Sequence, residues 1–569
     1  MDAGHTLGIW DGHDAGAALL EGGRVVAAVN EERLTRRKLD VGFPARSIEA
    51  CLAFAGLSPK DVTRIAACTS DPAKTLTRLV PGLKEEYYLI RRRKKRPGRL
   101  DPLKKRFKYR FTELPPNRLT HALSRTHLYR ALRAAGFDRF RLSLVDHHEA
   151  HARAAALLSG FDPCLVLTLD GLGDGLCGSV WRYEGRRLAR VAALPADASL
   201  GIFFEHVTNL MNMRELEDEG KVMALANYAY PVPDAENPLL DLMGVHGLRI
   251  VTPFSANRLH AELRKILWQY PSEQFAFMAQ RALERNVLQL VRNALSETGL
   301  SCVAAAGGLF SNIKVNKRLQ EMDEVSRLYV FPHMGDGGLA LGAALNPALL
   351  KSQRLEHLYL GPRAAEAEIE SAVKRFGLPF RRVEDPAGEA ARRMLAGEII
   401  LWHQGRMEYG PRALGNRSIL ARPDDRAIKD RLNLALKKRV WYQPFCPSML
   451  GEDAEALLEL PAGALEDTPF MTSSFRVRPE HLERMAGVTN IDGTCRPHFV
   501  GTENPRFRAL LERVKESLGH GVVLNTSFNI HGDPMVCTPE DALSTLERTG
   551  VRSLFMEDVL VENPRAQAL

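Results

Sequence analysis

The chain of 569 residues is poor in aromatics, at 7%, and its 8 cysteines are scattered with no Cys-x-x-Cys pair. Within the basic residues 91–110 only Phe107 and Tyr109 are aromatic, which weakens a base-stacking role there. Scattered thiols argue against a thiolate metal cage and suit a reducing, cytoplasmic setting. Uninterrupted apolar runs stop well short of the ~18 residues a membrane helix needs. Asp2, His5 and Asp11 stand where a secretory leader would be basic and then apolar, so neither a span nor a signal peptide is expected. What is present is an ordinary globular mixture, 45% hydrophobic and 26% charged, at a length that implies two or more domains. A net charge of +8 leans towards anionic substrates without deciding anything.

The densest chemistry lies in Asp146-His147-His148-Glu149-Ala150-His151, which follows the apolar Leu142, Leu144 and Val145 and leads into an alanine-rich run. That order predicts a strand entering a helix whose first turns carry the histidines. His147 and His151 are i and i+4 and share a face, half of a site for a borderline ion such as Zn or Fe(II). The same pair also suits a helix start with rings merely exposed or hydrogen-bonded, so a third ligand has to decide.

Thr6–Trp10 reads as a strand ending in Asp11-Gly12-His13-Asp14, followed by a hairpin. Leu165–Leu169 repeats the grammar, ending in Asp170-Gly171-Leu172-Gly173-Asp174-Gly175 before a second hairpin. Two buried strands that each deliver Asp-Gly into a hairpin look like the duplicated core of the actin/sugar-kinase type, in which a phosphate chain lies between two such loops. Ala306-Gly307-Gly308 then ends a third strand ahead of Asn312, and Gly335-Asp336-Gly337-Gly338 strips bulk from around one carboxylate.

Residues 91–110 hold twelve Lys/Arg against the single Asp101, interrupted by Pro97-Gly98 and Pro102. They read as an exposed basic excursion. From Ser352 to about Pro386 runs a seam. Beyond it, Arg406, Arg412 and Arg417 share the Gly/Pro-rich loop 405–418, where guanidinium forks could converge on a phosphate. Lys437, Arg439 and Arg496 add cations on turns, and the strand Val522–Leu524 runs into the hydroxyl and amide groups of Ser527 and Asn529.

Together these strings resemble the O-carbamoyltransferase family of nodulation-factor, aminoglycoside and cephamycin enzymes. The matching pieces are Glu31-Glu32-Arg33 with Phe43-Pro44, His147-His148-x-x-His151, Gly220-Lys221-Val222-Met223, Gly307-Gly308 with Asn312, and Gly335-Asp336-Gly337-Gly338. In the second half they are Gly410-Pro411-Arg412-Ala413-Leu414-Gly415-Asn416-Arg417-Ser418, Asp492-Gly493-Thr494 and Leu524–Asn529. Gln443 stands where the family shows arginine, and the 91–110 stretch is foreign to the pattern.

The resemblance implies an α/β fold in two parts: an actin/sugar-kinase-like metal-binding domain over 1–352, then a YrdC-like α/β (or α+β) domain over 387–569. It implies that carbamoyl phosphate and ATP, with Mg, make carbamoyladenylate in the second part. The first part would then hand the carbamoyl to a hydroxyl of a small-molecule acceptor. Carried over, His147, His151 and Asp336 would hold Fe(II) or a similar ion, and His13 and Asp170 would line the transfer site. Gly307, Gly308 and Asn312 would bind nucleotide. Arg412, Arg417, Lys437, Arg439, Arg496, Ser527 and Asn529 would contact carbamoyl phosphate or the adenylate. Nucleic acid is not expected as a partner, and a homodimer is left open. Rival readings are a tRNA threonylcarbamoyl-modification enzyme docking RNA on the basic stretch, and a non-catalytic metal or nucleotide sensor.

Overall fold

The computed structural model describes residues 4–96, 98 and 111–566, so most of the basic stretch lies outside the described residues. The chain divides into two compact units, Met1–Glu31 with Leu39–Leu355, and Glu32–Lys38 with Glu356–Leu569. Both mix helices with mixed sheets, the α/β class the sequence implies.

In the first unit β1 (His5–Trp10), β2 (Gly16–Glu21) and β3 (Arg24–Asn30) form an antiparallel meander. β4 (Val62–Cys68) and β5 (Arg141–Val145) add in parallel, giving the order β3-β2-β1-β4-β5. A second sheet repeats this plan. β6 (Cys164–Gly173), β7 (Leu176–Glu184) and β8 (Arg187–Pro195) are the meander, and β9 (Cys302–Ala306) and β10 (Arg327–Val330) the parallel additions. The duplication expected from two Asp-Gly strand ends is therefore a duplicated sheet.

Four helices position the candidate site: α1 (Pro81–Arg91), α2 (His147–Leu158), α3 (Leu200–Leu210) and α4 (Leu339–Ala344). Apart from Glu149 and Arg153, every residue of α2 is buried, which its alanines permit by letting neighbours approach on several sides. Gly342 of α4 is one such neighbour. A Cβ there would fall 2.1 Å from the Ala150 carbonyl oxygen, so only glycine lets these helices lie together.

The second unit is built on an eight-stranded mixed sheet. Its strands are β11 (Phe380–Arg382), β12 (Ile400–His403), β13 (Arg417–Ala421), β14 (Cys446–Leu450), β15 (His498–Val500), β16 (Val522–Ser527), β17 (Ser553–Met556) and β18 (Val559–Glu562). Their order is β11-β18-β17-β12-β13-β16-β14-β15. Side chains alternate between its faces: Leu401 and Ile419 enter one core, Ile400, Trp402 and Leu420 the other. The seam expected at 353–386 carries β11 and the helix α5 (Glu366–Phe376), both in this unit. Among the described residues no helix is long and apolar enough to cross a membrane.

The basic stretch differs from expectation where it begins. Arg91 ends α1 and is no exposed loop residue. Its Nε donates to Glu215 Oε2 at 2.6 Å and its Nη2 to Glu205, while Arg92 pairs with Glu217. All five side chains are at most 13% exposed, so these two cations are fasteners inside the first unit.

Candidate functional site

His147, His151, Asp170 and Asp336 each bring one ligand atom to a common point, all within 4.8 Å of one another. Two elements that follow parallel logic deliver them. α2 leaves the end of β5, and Asp170 sits where β6 leaves its regular pairing with β7. Asp336 enters on the glycine-rich turn ahead of α4 and is clamped from the side: His333 Nε2 lies 2.8 Å from Asn30 Oδ1, and Asn30 Nδ2 donates to the Gly337 carbonyl.

The donor set fits a cation. His147 Nε2 is 3.1 Å and His151 Nε2 3.3 Å from Asp170 Oδ2, with Asp336 Oδ1 at 3.7 and 3.8 Å. His151 Nε2 makes no bond of hydrogen-bonding geometry and is fully buried, a lone pair that an ion would satisfy. Burial opposes charge on His147, but Asp336 and Asp170 outweigh it and hold the ring up at about 9. Desolvation alone would raise Asp170, yet the two rings keep it well below the usual carboxylate range. Asp170 thus stands with His147, His151 and Asp336 among the side chains that could hold an ion.

His13 stands beside this cluster, its Nε2 3.1 Å from Asp336 Oδ2. The indole of Trp10 fixes its backbone through the His13 carbonyl at 2.7 Å. Tyr88 of α1 meets the His13 ring edge to face, with centroids 5.1 Å apart. One turn further along α1, Arg91 engages Glu205 of α3, whose carboxylate lies close to Gly171. No sequence motif signalled that the helix leading into the basic stretch would cover this site.

His148 faces away from the ligand atoms. Its ring bridges Thr168 Oγ1 and the Leu176 carbonyl at 3.0 and 3.2 Å, and burial pushes it down to about 3, so it stays neutral. Gly307 lies so close to the Leu169 backbone that a Cβ would be 2.1 Å from the Leu169 oxygen, which brings Gly308 against Asp170. Asn312 has a different role from Gly307 and Gly308. It exchanges amide hydrogen bonds with Gln280 at 2.8 and 3.1 Å and caps the helix Ile313–Gln320.

The second unit gathers cations around a sulfur. Arg496 donates from Nε and Nη2 to Cys446 Sγ at 3.1 and 3.0 Å. Arg439 lies over the Phe445 ring and donates from Nε to Asn433 Oδ1 at 2.7 Å. Arg412 Nε and Arg439 Nη2 are buried without a hydrogen-bond partner. Burial first, then the Arg496 charge, pushes Arg412 down to about 9, and burial brings Arg439 to about 10. Lys437 is likewise depressed, by burial and then by Arg439. Its Nζ meets the Ser527 carbonyl and, at 2.8 and 3.1 Å, the Asn529 carbonyl and Oδ1. Ser527 Oγ closes the group by donating to Asn529 Oδ1 at 2.6 Å.

Arg417, which the resemblance also places at the phosphate, spends its Nη1 on the loop and has a buried Nε without a hydrogen-bond partner. It is 0% exposed, and its Nη1 donates to the carbonyls of Gln404 and Asn416 at 2.6 and 3.0 Å. Its hydrogen bonds fasten the loop and do not face the other guanidiniums. Glu408 is the loop's second organiser, with one oxygen accepting the N–H groups of Leu414, Asn416 and Arg417 at 2.8, 2.8 and 3.1 Å. A glutamate four residues ahead of Arg412 was the available signal, and charge counting passed over it.

One unit thus holds a histidine–carboxylate cluster and the other a nest of cations on turns. Residues 5–345 match the carbamoyltransferase N-terminus model and residues 391–563 the carbamoyltransferase C-terminus model, so the chain belongs to the carbamoyltransferase family and is an enzyme of that type. Nodulation protein NolNO of Sinorhizobium fredii is 32% identical over 97% of this chain and 79% of its own length. Nodulation protein NolO of Bradyrhizobium diazoefficiens is 34% identical over 73% and 78%. The 3'-hydroxymethylcephem-O-carbamoyltransferase of Streptomyces clavuligerus is 30% identical over 60% and 64%. Among solved structures, full-length HypF in its phosphate- and nucleotide-bound form aligns with 61% of this chain and 55% of its own. At 14% identity and a TM-score of 0.34, that likeness bears no argument.

Proposed function

We propose that the enzyme joins the carbamoyl group of carbamoyl phosphate to AMP from ATP in the second, YrdC-like unit. One water releases carbamate and phosphate from carbamoyl phosphate, carbamate displaces pyrophosphate from ATP, and the first, actin/sugar-kinase-like unit transfers the carbamoyl to a hydroxyl of a small-molecule acceptor as AMP leaves. The observation that carries this reading is the pairing of unlike sites in one family member: a ligand set for a cation in one unit, incompletely partnered guanidiniums in the other.

The chemistry asks for both. Nitrogen donates into a carbamoyl carbonyl and makes it a poor electrophile, and AMP supplies a good leaving group. Arg412, Arg439 and Arg496 would orient the phosphate oxygens, with Lys437 behind them holding the Ser527–Asn529 turn. A divalent ion held by His147, His151, Asp170 and Asp336 would supply Lewis acidity. His13, hydrogen-bonded to Asp336, would accept the acceptor's proton near neutral pH. Arg91 and Arg92 are already committed to buried ion pairs, which removes two cations from any RNA dock.

The test is a nucleotide assay on the purified chain. AMP and pyrophosphate should form from ATP only when carbamoyl phosphate is present. Pyrophosphate release that ignores carbamoyl phosphate would refute the proposal.

A further inference from the structure

The first turn of α2 has a cap that its own flanking sequence does not supply. Asp146 holds the N-cap position, but its side chain makes no capping hydrogen bond. The first N–H groups of a helix lack intrahelical partners, and a buried one needs an acceptor. The His147 N–H finds it in Asp174 Oδ2 at 2.7 Å, on the loop that follows Asp170, and Asp174 is only 6% exposed. The other carboxylate oxygen takes the hydroxyl of Thr69, whose own N–H bonds the Val145 carbonyl at 2.7 Å. One side chain therefore ties together the end of β4, the junction of β5 with α2, and the end of β6. The first two belong to one repeat of the duplicated sheet and the third to the other.

This tie sits where the ligand distances are set. Asp170 lies in the irregular end of β6 and Asp174 directly after it, and Gly173 between them lies under the His147 ring, where a Cβ would fall 2.4 Å from the ring carbon Cγ. This stretch and the first turn of α2 are thus in contact through a backbone, a ring and a carboxylate. A shift of α2 along this contact would change both the 3.1 and 3.3 Å separations from Asp170 Oδ2.

We propose that Asp174 is a positioning residue for the metal site: through the His147 amide it sets the registry of His147 and His151 against Asp170, without itself coordinating. This rests on the metal reading of the cluster. Neighbours that orient ligands commonly alter metal affinity ~10–100-fold when removed. The residue's amide acceptor is what matters here, so Asp174→Asn, which keeps an oxygen in that place, should behave unlike Asp174→Ala.

The experiment is Co(II) titration of the full chain, followed by visible absorption and by competition with a chelator, with thermal melting of each metal-free variant alongside. Asp174→Ala should bind Co(II) ~10–100-fold more weakly and show an altered spectrum, and Asp174→Asn should stay within about threefold of the parent. Thr69→Val, which frees the second oxygen only, should fall between them. If the parent chain itself fails to bind Co(II), the metal reading is wrong. If the parent binds and Asp174→Ala matches it in affinity and spectrum, or Asp174→Asn loses as much as Asp174→Ala, the positioning role is wrong. Should Asp174→Ala not fold, Thr69→Val and Asp174→Asn decide: Co(II) affinity and spectrum of Thr69→Val equal to the parent's, or a loss of about tenfold or more in Asp174→Asn, overturns the positioning role.

Discussion

The two charged clusters are opposites in how their charges are met. In the first unit His147 and His151 face Asp170 and Asp336, imidazoles set against carboxylates in one donor set. In the second unit Arg412, Arg439 and Arg496 face one another and a sulfur, and burial weakens the hold of Arg412 and Arg439 on their protons. A site of imidazoles and carboxylates suits a cation. A site with crowded cations is relieved by an anion. Composition alone, with a net charge of +8, could not separate these two behaviours.

The comparison breaks most sharply at the ligands. His147→Ala, His151→Ala or Asp336→Ala should each abolish tight binding of one divalent ion per chain, since a partial set of imidazoles and carboxylates holds such ions weakly. Metal analysis showing full occupancy in the His147/His151 double alanine variant would contradict the assignment. Next comes Arg412→Ala. Losing one charge-assisted phosphate contact costs ~2–4 kcal/mol, on the order of a hundredfold in pyrophosphate release if the contact persists in the transition state. Arg417→Ala should act differently, lowering thermal stability first, because its donors hold backbone carbonyls.

Arg91→Ala tests the cover over the first site. It leaves Glu205 and Glu215 buried without their cation, which should destabilise the fold by ~3 kcal/mol, measurable by denaturant titration. An unchanged midpoint would return Arg91 to the solvated surface.

The smallest effect is in pH. His147 is raised to about 9, so its contribution to the stability of the metal-free chain is complete below about 6.5 and lost as pH rises through 9. Asp174, pushed up to about 8 by burial and then by Asp71, loses stability in the same direction. His148, held down at about 3, works oppositely and costs stability as pH falls below 6.5. Between about 4 and 6.5 the Asp174 and His148 contributions run against each other, so metal-free protein should hold its stability there and lose it as pH rises above about 6.5. Uptake of a divalent ion should tighten up to about tenfold per pH unit on the way to 9, as one proton is displaced. A pH-independent affinity would show that His147 carries no proton to release.

What the sequence disclosed was whatever local spacing encodes. The histidine helix begins at His147, as the strand-to-helix transition predicts, and the two Asp-Gly strand ends mark the duplicated sheets. Roles set by tertiary contact were not legible. Arg417 and Arg412 look alike in one loop, yet Arg417 spends its Nη1 on backbone carbonyls, while both keep a buried Nε without a hydrogen-bond partner. Arg91 reads as the head of a basic run because its partners Glu205 and Glu215 lie far along the chain. Asp174 reads as a turn residue before glycine, and only the fold brings the His147 amide to it.

The central claim is that each unit serves one half-reaction. The direct measurement follows carbamoyl-phosphate-dependent pyrophosphate release and Co(II) binding in parallel, in Arg412→Ala and His147→Ala. Arg412→Ala should lose about a hundredfold in pyrophosphate release while binding Co(II) like the parent. His147→Ala should lose Co(II) while releasing pyrophosphate at close to the parent rate. If both folded variants lose both properties in proportion, the division of labour is wrong and a single composite site takes its place.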